Sequence, residues 1–115
     1  MSKPIAPYSP FREADGLIFF SGQIGHADGS LVEGGIQAEL EQVFINISAL
    51  LSETNLTPND IVKATVLLAD IADYETMNDA YGSFFSDVKP ARSAYAIGAL
   101  PRGARVEIEL IGQRP

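Results

Sequence analysis

The chain has 115 residues, of which 46% are hydrophobic and 20% are charged, a composition that excludes both a disordered chain and a membrane-embedded one. No apolar run approaches the roughly 20 residues that a transmembrane helix needs, so we expect no membrane association. The absence of cysteine excludes a disulfide framework, a thiolate nucleophile and a cysteine-based metal site. Residues 1–115 show no linker, repeat or low-complexity segment, and their number fits a single domain.

Charge narrows the range of partners. Lys and Arg number 8 against 15 Asp and Glu, giving a formal net charge of −7. Proteins that bind nucleic acid usually present a basic face, because phosphate contacts supply much of their affinity. We therefore expect no nucleic acid partner and favour a small ligand that is recognised locally. The first ten residues lack a basic start followed by an apolar segment, which favours the cytoplasm over secretion.

The first third of the chain predicts an irregular arm followed by a strand. Met1 to Pro10 contains three prolines and carries Tyr8, whose phenol can pack or form a hydrogen bond. Asp15-Gly16 predicts a turn, and Leu17 to Gln23 predicts a buried strand. Ser21 and Gly22 are unusual near a strand end, and they indicate either a bulge or turn entry or a place where another backbone or a ligand comes close.

A glycine-rich loop follows, Gly25 to Gly35, with a short strand predicted at Leu31 to Glu33. The only histidine, His26, lies in this loop with no second ligand at metal spacing. The glycines match neither the dinucleotide nor the P-loop fingerprint. The sequence therefore predicts no metal and no cofactor.

Two amphipathic helices are predicted, Ile36 to Glu53 and Tyr74 to Phe85, on either side of a strand from Ile61 to Ala69. In the first helix, Glu39 falls off the apolar stripe. In the second helix, Asn78 lies at the edge of the stripe. The apolar stripe of the first helix is formed by Ile36, Leu40, Val43, Ile47 and Leu50.

Two strands end the chain, Ser93 to Leu100 and Arg105 to Gly112, joined by a connection of hairpin length. Arg92 stands at the entry of the first strand, and arginine is suited to bind a carboxylate or phosphate through two parallel hydrogen bonds. In the last strand, Glu107 and Glu109 alternate with apolar residues. Arg92 is therefore a candidate anion anchor, with a flanking surface arginine as the alternative.

The order of elements predicts an α+β fold, related to the ferredoxin-like arrangement, with two helices on one face of a mixed sheet. Nothing remains to cover the other face, and a half-apolar uncovered face is most simply buried by self-association. We therefore expect a homo-oligomer. The apolar residues of the uncovered face are Leu67, Tyr95, Ile97 and Ile111.

An ordered set of short segments extends this reading. Together these segments resemble the reactive intermediate deaminase (RidA, formerly YjgF) family over nearly the whole chain, from Pro7 to Ile111. The segments are Ala6-Pro7-Tyr8-Ser9, Ser21-Gly22-Gln23-Ile24, Ile61-Val62-Lys63-Ala64-Thr65, Met77-Asn78-Asp79-Ala80-Tyr81, Pro90-Ala91-Arg92-Ser93, Leu100-Pro101-Arg102-Gly103 and Val106-Glu107-Ile108-Glu109.

The resemblance implies a chorismate-mutase-like homotrimer with ligand sites between subunits and no cofactor. It implies hydrolysis of reactive enamines and imines, such as 2-aminoacrylate, 2-iminopropionate and 2-iminobutyrate, to 2-oxo acids and ammonia. Arg92 matches the family arginine that binds the substrate carboxylate, and Glu107 matches the glutamate that positions the attacking water. The remaining matches to the cleft are Tyr8, Ser21, Asn78 and Ala94, the last where a family branch has cysteine.

Three alternatives stay open at this point. One is a trimer that binds small carboxylates or oxo acids without turnover, in a sensing or chaperone-like role. The others are an endoribonuclease, which the charge of −7 and the single histidine oppose, and a chorismate mutase, which needs several cations around a dianion.

Strand alternation places Arg92 in phase with Ala94 and Ala96, beneath the helices, whereas Glu107 is in phase with Glu109 on the uncovered face. The two therefore meet only through a bulge near Arg92 or across a subunit interface, and we favour the interface.

Overall fold

Alternating apolar residues in the long strands place one face of a five-stranded sheet under two helices. The computed structural model describes residues 4–115; the predicted arm therefore lies partly outside the described residues, and its remainder, 4–10, is irregular. The elements are β1 (Phe11–Ala14), β2 (Leu17–Gln23), β3 (His26–Ala27), β4 (Ser30–Leu31), α1 (Gly35–Glu53), β5 (Ile61–Leu68), α2 (Tyr74–Phe84), β6 (Ala91–Ala96) and β7 (Val106–Gln113). No helix within 4–115 is both long enough and apolar enough to cross a membrane.

The main sheet has the order β1-β2-β7-β5-β6, and its strands are antiparallel except for the parallel pair β5 and β6. The α+β class with a mixed sheet and two helices is thus confirmed. The strand β1 was not predicted. It pairs with β2 through a turn in which Asp15 and Gly16 both have positive φ, 52° and 80°, the geometry that suits the right-handed twist of a hairpin.

The two last strands are not neighbours, although the connection between them has hairpin length. Strand β6 follows α2 as a parallel crossover from β5, whereas β7 inserts between β2 and β5. Strand β6 also begins and ends earlier than expected, because the chain after Ala96 leaves the sheet and turns through Pro101–Gly103. The short strand predicted at Leu31 to Glu33 is instead the pair of β3 and β4, at His26–Ala27 and Ser30–Leu31.

The core lies between the sheet and the helices and is formed by α1, α2 and the covered face of β2, β5 and β7. The largest fully buried side chains include Phe85, Ile18, Leu40, Ile47 and Met77. Glu39 falls off the apolar stripe, yet its side chain is 0% exposed. Tertiary partners described below make its burial possible.

Candidate functional site

The uncovered face of the sheet carries Glu107 in a cleft of about 370 Å³. Glu107 is aligned with Leu67 of β5, and this register places it on the face opposite the helices. The N-terminal arm and the segment after β2 form the walls of the cleft. Its lining residues are Ile5, Ala6, Tyr8, Ser21, Gly22, Ile24, Pro101, Glu107 and Glu109.

The Glu107 carboxyl is half-buried, and burial raises its pKa above the ordinary value for glutamate, with the Glu109 carboxylate raising it further. Burial acts in this direction because it disfavours the charged form. A carboxylate whose pKa moves toward neutrality is a better general base, since it holds a proton more strongly while still being ionised at working pH. The sequence predicted the residue, but only the fold supplies this environment.

Gly22 is the residue that admits Glu107. A Cβ built at Gly22 would lie 2.0 Å from Oε2 of Glu107 and 2.8 Å from its Cδ, so any larger residue collides with the carboxylate. Between Phe20 and Gln23 the register of β2 against β7 shifts, which places Ser21 and Gly22 in a bulge. The predicted bulge is therefore confirmed, and the group that lies against Gly22 is a side chain of the same chain rather than another backbone or a ligand.

Ser21 connects the bulge to the N-terminal arm. Its hydroxyl donates a hydrogen bond to the carbonyl oxygen of Ser9 at 2.6 Å, and its backbone N–H donates to the carbonyl of Pro10 at 3.0 Å. Tyr8, which precedes Ser9 in the arm, is 44% exposed and lines the same cleft. The structure thus brings Tyr8, Ser21 and Glu107 together around one cleft.

Arg92 lies on the other face. It is aligned with Ala64, which is fully buried beneath the helices, and its side chain contacts α2. Its Nη2 donates to the Tyr74 hydroxyl at 3.2 Å, and its Nη1 lies 3.6 Å from the sulfur of Met77. Its guanidinium carbon is 4.7 Å from the centre of the Tyr81 ring, a cation–π contact. Within residues 4–115 no carboxylate forms a salt bridge with Arg92, so its charge is available to an anion.

Buried polar atoms without a partner occur near this arginine. Tyr81 belongs to the α2 surface that contacts Arg92, and Asn78 precedes it by one helical turn; the Tyr81 hydroxyl and Asn78 Oδ1 are both buried without a hydrogen-bond partner in the described chain. Burial raises the pKa of Tyr81, and the positive charge of Arg92 opposes that rise. Ala94, aligned with Val66, lies on the same face as Arg92. Unsatisfied buried groups are costly, so these atoms are candidate ligand contacts.

The predicted site residues therefore form two groups on opposite faces of one subunit. The first group contains Tyr8, Ser21 and Glu107, and the second contains Arg92, Ala94 and Asn78. The alternation argued from the sequence is confirmed by the register of β5 with β6 and with β7. No bulge is found near Arg92 in that register. The second group lies on β6, an edge strand of the sheet, and on the adjacent helix.

Sequence reasoning missed the aromatic partners of Arg92, namely Tyr74 and Tyr81 of α2. Their hydroxyls were the available signal. It also missed the contact of Glu39 with Arg105, for which the sequence offers no signal, because 66 residues separate the two. Within 4–115, no three acidic or histidine side chains come close enough together to hold a metal ion.

The mixed sheet has Glu107 in a cleft on one face and Arg92 on the other. Comparison with known proteins identifies the family that shares this fold. The family model described as Endoribonuclease L-PSP matches residues 1–113. The bovine protein named 2-iminobutanoate/2-iminopropanoate deaminase is 48% identical over 109 residues, covering 93% of this chain and 80% of its own. The RutC family protein of Pyrococcus horikoshii is 39% identical, with 97% and 90% covered.

Among solved structures, the yeast protein YEO7 superimposes with a TM-score of 0.94 at 39% identity, covering 98% of this chain and 91% of its own. The chain belongs to the reactive intermediate deaminase family. The resemblance seen in the sequence is thereby confirmed.

Proposed function

We propose that this protein hydrolyses 2-iminobutanoate and 2-iminopropanoate, and their enamine tautomers, to 2-oxo acids and ammonia. Relatives that are 43–48% identical carry the deaminase name. The observation that carries the proposal is the Glu107 carboxylate, half-buried in an apolar-walled cleft with a raised pKa and pressed against a glycine. A protein that only binds carboxylates has no use for such a base.

In this reaction water adds to the imine carbon and the C=N π-electrons move to nitrogen. Glu107 accepts a proton from the water as the C–O bond forms and returns it to nitrogen, which gives a carbinolamine. Glu107 then transfers the hydroxyl proton to the amino nitrogen, the C–N bond breaks, and the 2-oxo acid and ammonia are released. Arg92 binds the substrate carboxylate and fixes the imine relative to the water. Asn78 and Tyr8 supply polar contacts beside the two ends of the substrate, and Ala94 leaves its backbone carbonyl available to water.

A substrate of a few carbon atoms cannot touch Glu107 and Arg92 on opposite faces of one sheet, so we propose a homotrimer in which these residues come from adjacent subunits. Exposed aromatic side chains on the uncovered face, Phe19 at 44% and Tyr95 at 55%, support self-association. The edge strand β6 presents unpaired backbone groups beside Arg92. The cytoplasmic location remains a prediction.

Mixing two impaired variants tests whether the site is shared between subunits. Arg92→Ala and Glu107→Gln subunits, unfolded and refolded together in equal amounts, should regain about a quarter of the wild-type activity, because that share of random interfaces combines the two intact residues. Each variant refolded alone is the control. Absence of recovery in mixtures shown to contain hybrid trimers by native mass spectrometry would contradict a site shared between subunits.

The reaction itself is tested by generating 2-iminobutanoate in solution and following its loss with and without protein. We expect acceleration over buffer that Glu107→Gln abolishes. Wild-type protein that binds a 2-oxo acid but leaves the rate of imine loss unchanged would refute the enzymatic proposal.

A further inference from the structure

Glu39 of α1 carries a feature that core packing does not explain. Its side chain is fully buried, although a carboxylate in the interior loses its hydration. Its partner Arg105 is 52% exposed. An ion pair with so exposed a partner adds little to stability, because water screens it. Stability alone therefore gives a weak reason for this carboxylate.

The contacts of Glu39 converge on the start of β7. Its Oε1 accepts a hydrogen bond from the backbone N–H of Arg105 at 2.7 Å, and its Oε2 accepts one from Nη1 of the same residue at 2.8 Å. Arg105 precedes Glu107 by two residues. The carboxylate thus holds the main chain that carries Glu107 at a fixed distance from α1.

The same residue contacts the segment that leaves the bulge of β2. A Cβ at Gly25 would lie 2.8 Å from Cα of Glu39 and 3.0 Å from its carbonyl oxygen, so this segment lies directly on the helix backbone. About two turns further along α1, Asn46 donates hydrogen bonds from Nδ2 to the carbonyl oxygens of Ile24 and His26, at 3.2 and 3.1 Å. The residue that makes room for Glu107, Gly22, lies three positions before Gly25.

We propose that Glu39 is a positioning residue: by holding the backbone of Arg105 against α1, beside the turn on which the Gly25 segment lies, its carboxylate keeps Glu107 seated on Gly22. This inference rests on the proposed function of Glu107. Glu39 itself lines no part of the cleft, and it acts through the main chain between Arg105 and Glu107.

Two double variants isolate the contact. Glu39→Leu/Arg105→Met and Glu39→Gln/Arg105→Met both remove both charges, so the electrostatic field at Glu107 is the same in the two proteins. Only the glutamine variant retains an acceptor for the backbone N–H of residue 105. The other titratable groups that line the cleft, Glu109 on β7 and Tyr8 on the arm, are unchanged, and the cleft residues of β2, Ser21 and Gly22, do not titrate.

The first readout does not depend on turnover. A ¹³C NMR titration of the Glu107 carboxyl should show the raised pKa in the wild type and the glutamine variant, and a pKa closer to the ordinary value in the leucine variant, because water reaches the loosened carboxylate.

The second readout is kcat for imine loss. We expect a decrease of about tenfold or more in the leucine variant alone, since a displacement near 1 Å costs up to about 10²-fold. The thermal midpoint of the leucine variant should lie below that of the glutamine variant, because the backbone N–H of residue 105 loses its acceptor.

A leucine variant that folds and keeps both the Glu107 pKa and kcat would overturn the proposal. An equal loss of kcat in both double variants would also overturn it, because the effect would then come from the removed charges. If the leucine variant does not fold, Glu39→Met/Arg105→Met replaces it. Methionine also lacks an acceptor for the backbone N–H of residue 105, and an unchanged Glu107 titration in that folded variant would overturn the proposal. If the wild type shows no turnover, the proposed function fails, while the titration still decides the role of Glu39.

Discussion

Substituting Gly22 by alanine should inactivate the protein while leaving its stability nearly unchanged. The new Cβ would lie 2.0 Å from Oε2 of Glu107, whereas ordinary contacts begin near 3.4 Å. The carboxylate must therefore retreat by more than about 1 Å, a displacement that costs on the order of 10²-fold in rate when the group is a base. The backbone at Gly22 is outside the left-handed region, so alanine introduces no main-chain strain.

The stability effect of Gly22→Ala combines two small terms. A glutamate rotated off its preferred rotamer costs about 0.5–1.5 kcal/mol, and replacing glycine by alanine gains about 0.4–1 kcal/mol from the unfolded state. These terms nearly cancel, so the free energy of unfolding should change by less than about 1 kcal/mol.

The assay follows loss of 2-iminobutanoate generated in solution, alongside urea denaturation of the same samples. Gly82→Ala is the matched control, because no heavy atom lies within 4 Å of a Cβ at that position of α2. We expect the control to keep wild-type kcat/KM. Activity of Gly22→Ala within twofold of wild type would refute the argument that Glu107 must occupy this position.

Three further predictions concern the charged groups. The pKa of Glu107 is raised in the folded state, so ionisation of this carboxyl opposes folding at higher pH. Glu107→Gln should therefore unfold at a higher urea concentration than the wild type at pH 7, and the difference should vanish at pH 3.5. Equal urea midpoints at pH 7 would contradict the burial argument. Arg92→Ala should lower kcat/KM by about 10- to 150-fold, the equivalent of roughly 1.5–3 kcal/mol for a charge-assisted hydrogen bond, with sedimentation unchanged; full activity would remove Arg92 from the site. Tyr74→Phe deletes the 3.2 Å bond to Arg92 and should raise KM several-fold with kcat retained, whereas an unchanged KM would show that this bond does not orient the guanidinium.

Local patterns were sufficient for most of the secondary structure. The helix predicted from Ile36 to Glu53 is α1, Gly35–Glu53, since its apolar spacing of three and four residues needs no long-range information. Asn55, just after this helix, has a φ of 59°, a left-handed conformation that asparagine tolerates at helix ends. The strand β1 was missed because a four-residue edge strand with two charged residues in its centre carries little apolar signal.

The length of the loop between two strands did not predict whether those strands are neighbours in the sheet. The link between β6 and β7 is short enough for a hairpin, yet β7 pairs with β5 and β2, because its apolar residues are buried on the helix side only in the centre of the sheet. The burial of Glu39 was equally out of reach, since the pattern of one helix cannot reveal a backbone donor 66 residues away.

By itself, the sequence determined the identity of Arg92 and Glu107 as candidates, the two faces on which they lie and the family to which the chain belongs. These follow from residue type, strand alternation and an ordered set of motifs, all of which are local properties. Only the tertiary structure decided that Glu107 is seated on Gly22 and that Arg92 rests on Tyr74 and Tyr81. Those contacts join strands and helices far apart in the chain, and pKa and orientation depend on which groups surround a side chain in space.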